Sequence, residues 1–245
     1  MIRYLVTFLT MLTLLIIVFC YQCFGACSQN DDFTGANGSA PDATKWTETD
    51  TGVMDIQTNT LYFDSTTPGT DLTSSVASKW LIPAGDFDIQ VDFGADHLPD
   101  PIASANIAAA LRVYNEDSSK AVNIGRAHDG SLESNKDGYF SYSTDDAWAM
   151  VGDYVDATGK LRLTRVGATI KGYWWNAGWE WDGNGAGYTF TTSWVGAASV
   201  LLWFKIEINS TMQSYMDNFV ITKGCPAVGF IGPKLMTITK NGRIK

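Results

Sequence analysis

The stretch KLRLTRVGATIKGYWWN, residues 160–176, decides the fold. Leu161 and Leu163 fall on one parity, Arg162 and Thr164 on the other. After Val166-Gly167-Ala168, a tight-turn signal, the alternation resumes. Ile170 and Trp174 take one side; Lys171, Tyr173 and Trp175 take the opposite side. Successive side chains of a strand point to opposite faces, so this is a hairpin with one buried and one open face. Trp174 belongs to the buried face and Trp175 to the open one.

The same period-two pattern recurs on both sides of that hairpin. It appears in residues 87–93 (FDIQVDF), 107–115 (IAAALRVYN), 121–127 (AVNIGRA) and 138–143 (GYFSYS). It returns in 200–209 (VLLWFKIEIN) and 214–222 (SYMDNFVIT). Clusters of Gly, Asp, Asn and Ser separate the runs. Short alternating runs at this spacing predict an all-β antiparallel sandwich or barrel. No internal period of about 20–50 residues is visible, which disfavours a solenoid or propeller.

The 245 residues are 45% hydrophobic and 18% charged, far from a disordered composition. A net charge of −9 disfavours nucleic acid as a partner, because an acidic surface repels phosphate. Asp outnumbers Glu by 21 to 5, a turn-rich and calcium-compatible bias. The two histidines, His97 and His128, leave little room for a zinc site or a His-based relay.

Residues 1–26 read as a targeting segment. Arg3 is the lone charge before Asp31, and Leu5–Phe24 is almost wholly apolar. A cleaved signal peptide, a retained signal anchor and a lipoprotein signal ending at Cys27 all fit this pattern. Each places residues 27–224 outside the cytoplasm, secreted or at the cell surface, with membrane contact only through the N-terminal segment. Cys27 and Cys225 flank the folded part and can bridge in an oxidising compartment, which competes with lipidation of Cys27. The tail from Cys225 is basic, and Asn241-Gly242 signals a hairpin; it is a surface hairpin or frayed end, or a strand offered to a protein partner.

Three stretches resemble the concanavalin A-like lectin/glucanase superfamily, in particular its laminin G-like members. Asp31-Asp32-Phe33-Thr34-Gly35 is similar to the opening strand of such domains. Residues 160–179 are similar to their paired strands followed by a Trp, and Tyr215-Met216-Asp217-Asn218-Phe219-Val220 to their closing strand. The resemblance spans residues 31–223. It implies a two-sheet jelly roll whose first and last strands pair, which would bring Cys27 beside Cys225. It also implies that Asp217, with Asp32 nearby, could help hold a structural calcium ion, and that Trp179 packs.

The glucanases of that superfamily carry Glu-x-Asp-x-(x)-Glu on one strand, supplying the two carboxylates that glycoside hydrolysis needs. Here Glu180-Trp181-Asp182 continues into Gly183-Asn184, and Glu48-Thr49-Asp50 also lacks a second Glu. No catalytic set is therefore expected. By parity, the open faces carry aromatics beside charged and amide groups, the mixture that sugar recognition uses. The expected binding residues are Arg112, Tyr114, Tyr173, Trp175, Trp181 and Trp203. The expected function is non-catalytic, lectin-like binding of a polysaccharide or glycoconjugate. The competing readings are a structural surface or virion component making protein contacts, and a divergent glycoside hydrolase or lyase.

Overall fold

The computed structural model of the chain describes residues 27–49, 54–65, 72–97, 106–129, 136–146, 148–151, 158–175, 178–180, 187–206 and 212–226. The predicted signal or anchor, Trp181, and the tail beyond Pro226 lie outside these residues. The described residues form strands and no helix. In chain order they are β1 (Trp46–Thr49), β2 (Met54–Gln57), β3 (Thr60–Ser65), β4 (Leu72–Ser78), β5 (Phe87–His97), β6 (Asn106–Asn115), β7 (Ala121–Asp129) and β8 (Lys136–Ser143). They continue as β9 (Ala149–Val151), β10 (Thr158–Val166), β11 (Thr169–Trp175), β12 (Trp179–Glu180), β13 (Tyr188–Thr189), β14 (Ala198–Ile206) and β15 (Met212–Lys223).

Two antiparallel sheets result. The first has the order β1-β4-β14-β6-β7-β8-β9; the second runs β12-β11-β10-β5-β15-β3-β2, with β13 also on β11. The opening hairpin is β10–β11, closed at Val166↔Thr169 with Gly167 at φ 60°. Leu161, Leu163, Ile170 and Trp174 are all fully buried, as their parity requires. Stacked rings join the sheets across the core: Trp174 on Tyr139 at 4.2 Å, and Phe63 on Phe204 at 5.3 Å.

Two arginines occupy core parity. Arg165 is fully buried and donates to the carbonyls of Gly85 (2.5 Å), Gly196 (2.7 Å) and Pro83 (3.3 Å). Arg126 donates to the carbonyls of Ala127 (2.8 Å) and Gly138 (3.2 Å). These bonds offset part of the cost of burying two charges.

The ends of the domain meet. Asp31 and Phe219 exchange backbone hydrogen bonds of 2.9 and 2.7 Å, and Asn30 Oδ1 accepts from the Ile221 amide at 2.8 Å. A disulfide joins Cys27 to Cys225 across 198 positions of sequence. The pairing of terminal segments is thus a single bridge rather than a full strand pair. One feature of β15 departs from strict alternation. A bulge between Asp217 and Val220, with Asn218 at φ 49°, inserts one residue and puts Met216, Phe219 and Ile221 all in the core.

Candidate functional site

The register of the first sheet assembles a continuous outer face from β4, β14, β6, β7, β8 and β9. Inner positions of its two central strands are apolar: Val200, Leu202 and Phe204 on β14, and Ala109, Leu111 and Val113 on β6. The alternate residues must therefore point outward. One row crosses the face as Ser75, Trp203, Ala110, Gly125, Phe140 and Met150. The row beside it reads Ala77, Leu201, Arg112, Asn123 and Tyr142. On the other flank lie Lys205, Ala108, Ala127 and Gly138.

Small residues in mid-sheet are the key to this surface. A Cβ at Gly125 would overlap the Phe140 ring, so the glycine lets that ring lie across the sheet. Phe140, Met150 and Trp203 pack on Ala108, Ala110 and Ala127. Trp148 stacks on Phe140 at 4.2 Å and 7°, and remains 41% exposed. Three strand steps of ~4.8 Å put Trp203 and Phe140 roughly 14 Å apart along the row. Tyr142, also on the outer face, is 40% exposed.

Arg112 sits at the edge of this aromatic surface. Its Nε donates to Asn123 Oδ1 at 2.8 Å, and Nη1 donates to the Tyr114 hydroxyl at 3.0 Å. Its guanidinium lies 4.6 Å from the Trp203 ring centroid, a cation–π distance. Among the described residues no carboxylate pairs with it, so its remaining N–H groups are available to an incoming oxygen. Tyr114 is buried, and its role is to hold Arg112 rather than to offer a surface. The described residues of the three rows carry no carboxylate.

The structure does not bring all the sequence-derived candidates together. Arg112, Tyr114 and Trp203 share the first sheet, whereas Tyr173 and Trp175 lie on β11, on the outer face of the second. The single binding face expected from parity is therefore two faces on opposite sides of the sandwich. Parity states which way a side chain points, but not which sheet its strand joins. On the part of the second face beside Tyr173 and Trp175, the charges of β10 are paired with those of β5. Arg162 makes two bonds to Asp88 (2.8 and 2.6 Å) and lies under Tyr173 and Trp179, while Lys160 pairs with Asp92 at 2.8 Å. Trp175, 40% exposed, meets Trp179 edge-on at 5.2 Å. Phe140, Trp148, Tyr142 and Asn123 were missed in sequence. The inner side of β8 is Tyr139, Ser141 and Ser143, so polarity gives no clue to which face is core.

Near the paired termini, Asp217 stands opposite Asp92. Burial, and then the charges of Asp92, Asp32 and Asp31, push its carboxyl above the ordinary aspartate range, against a 2.7 Å bond from the Asn218 amide. Calcium requires six to eight oxygens. Among the described residues, no group of three or more His, Cys, Asp or Glu side chains is placed to hold a metal ion. Asp32 and Asp217 alone do not make a site. The raised pKa has a definite sign. The native state binds this proton more tightly than the unfolded chain does. Its stabilising contribution is complete below the unfolded value, near 3.8, and is lost as pH rises through the higher folded value. Asp217→Asn is therefore expected to raise stability at neutral pH slightly, by less than about 1 kcal/mol at this partly exposed position and visible as a small rise in melting temperature, with no gain near pH 3. Melting curves at the two pH values check this. A melting temperature raised by millimolar calcium, and returned to baseline by the same substitution, would establish the metal site instead.

No family model matches the sequence, and no curated protein matches it either. Solved structures do. The laminarinase of Flavobacterium sp. UMI-01 superposes with a TM-score of 0.55 at 8% identity, over 80% of this chain and 98% of that one. The CBM2 module of the evolved Dit of Lactobacillus casei phage J-1 gives 0.51 at 12% identity, over 80% and 96%. A Bacillus subtilis protein with a galectin-like fold gives 0.50 at 10%, again over 80% and 96%. The fold is a concanavalin A-like β-sandwich. At these identities the likeness shows the fold alone, and the site must be argued from its own residues.

Proposed function

We propose that the protein is a non-catalytic, extracellular glycan-binding β-sandwich of laminin G-like type, and that a saccharide lies across the outer face of the first sheet. The observation that carries this reading is the pair of accessible rings Trp203 and Trp148, packed over a buried layer of Ala110 and Phe140 beside an arginine without a carboxylate partner among the described residues. Rings stack on the apolar faces of pyranoses, while Arg112 and the Tyr142 hydroxyl reach ring substituents. The neighbouring CBM2 module and laminarinase place sugar chemistry among the functions this sandwich hosts, which supports the same reading.

The absence of carboxylates from the described rows favours binding over hydrolysis, because a glycosidase needs two of them flanking the bond. The apolar N-terminal segment and the disulfide support an extracytoplasmic setting. The test is a glycan array with the purified protein, followed by product analysis of every bound polysaccharide. Binding of a defined sugar class without new reducing ends is the expected result. Turnover of a β-glucan, or an empty array with self-assembly of the pure protein, would overturn the proposal.

A further inference from the structure

The second sheet carries, on its own outer face, a groove of about 740 Å3 that the first face does not share. That volume falls within the usual range for small-ligand sites, roughly 300–1,000 Å3. Its walls are Asp55 and Gln57 on β2, Thr60, Tyr62 and Asp64 on β3, and Tyr215 on β15. These point outward because their neighbours Met54, Ile56, Leu61, Phe63 and Met216 fill the core. Pairing register places Asp55, Tyr62, Tyr215 and Gly94 in one row across four strands. A Cβ at Gly94 would overlap the Tyr215 ring, so the glycine lets that ring lie flat on the sheet.

The charge of the groove separates it from the rest of this sheet. Elsewhere on it, Asp88 pairs with Arg162, Asp92 with Lys160 and Asp86 with Lys223. None of the residues lining the groove is a cation. Among the described residues the buried Oδ1 atom of Asp64 has no hydrogen-bond partner, so the protein leaves this carboxylate only partly compensated. A site with two carboxylates that meet no cation among the described residues, two tyrosine rings and hydroxyl and amide groups suits a ligand that is both cationic and polyhydroxylated.

We propose that this groove binds a protonated amino sugar of the glucosamine type. Its ammonium group pairs with Asp55 and Asp64, and its ring packs on Tyr62 and Tyr215. The inference is independent of the glycan face on the first sheet. The test is calorimetric titration of the full protein with glucosamine oligomers, with their N-acetylated counterparts and with spermidine. The glucosamine oligomer is expected to bind at least about ten-fold more tightly than the acetylated one, and to weaken as salt screens the charges. Asp55→Asn, at a half-buried surface position, should weaken it at least about five-fold with an unchanged melting curve. Gly94→Ala, which displaces Tyr215, should also weaken it, and Trp203→Ala should not. Equal affinity for the acetylated oligomer, equal affinity for spermidine, no binding at millimolar concentration, or insensitivity to Asp55→Asn would each overturn the proposal.

Discussion

Removal of the Cys27–Cys225 disulfide is expected to lower the melting temperature by about 10–20 °C. The bridge closes a loop spanning 198 positions. In the chain-entropy description, cross-linking so long a loop removes enough freedom from the unfolded chain to stabilise the fold by about 5 kcal/mol. For a domain near 200 residues, each kcal/mol moves the midpoint by about 2–4 °C. Contacts remaining at the junction oppose the loss only in part: the Asp31–Phe219 bridge and the Asn30 bond to Ile221 persist without the sulfurs. The measurement is thermal melting of the Cys27→Ala/Cys225→Ala variant against the native protein, with a thiol count by intact mass. A midpoint within about 2 °C of native, or a native protein carrying a diacylglyceryl Cys27, would contradict the account.

Neighbouring tryptophans should behave in opposite ways. Trp174 is fully buried and stacks on Tyr139 of the facing sheet, so Trp174→Ala opens a cavity at a contact that joins the two sheets. Truncation of a core aromatic costs about 3–5 kcal/mol, a large part of the stability of most domains. Trp175 is 40% exposed and touches Trp179 edge-on, so Trp175→Ala should cost less than about 1 kcal/mol. Urea denaturation of both variants reads the difference directly. A benign Trp174→Ala beside an unfolding Trp175→Ala would mean that β11 is out of register by one residue.

Strand identity was legible in the chain because period two is a local signal. Leu161, Leu163, Ile170 and Trp174 sort themselves without knowledge of any partner strand. Sheet membership was not legible. Whether β11 lies beside β6 or across the core from it depends on contacts far apart in sequence, so parity alone cannot separate Tyr173 and Trp175 from Arg112 and Trp203. The bulge at Asn218 was hidden for a related reason. Alternation read straight through Ser214–Thr222 gives no place for the extra residue, which only the pairing with β5 reveals. Arg165 was a signal that could have been read. An arginine on the parity of two core leucines must find buried acceptors, and it takes them from the carbonyls of Pro83, Gly85 and Gly196. The small-residue lane under the candidate site needed the register of β14, β6, β7 and β8 together.

The central claim is that ligand lies over Trp203 on the first sheet rather than over Trp175 on the second. Its most direct test is calorimetric titration of the best array-derived saccharide into the native protein, Trp203→Ala and Trp175→Ala. An aromatic anchor in a binding site carries about 2 kcal/mol or more, which is roughly a 30-fold change in affinity. The account predicts a loss of at least that size for Trp203→Ala and native affinity for Trp175→Ala. Native affinity for Trp203→Ala, with the loss at Trp175→Ala, would place the site on the opposite sheet and contradict it.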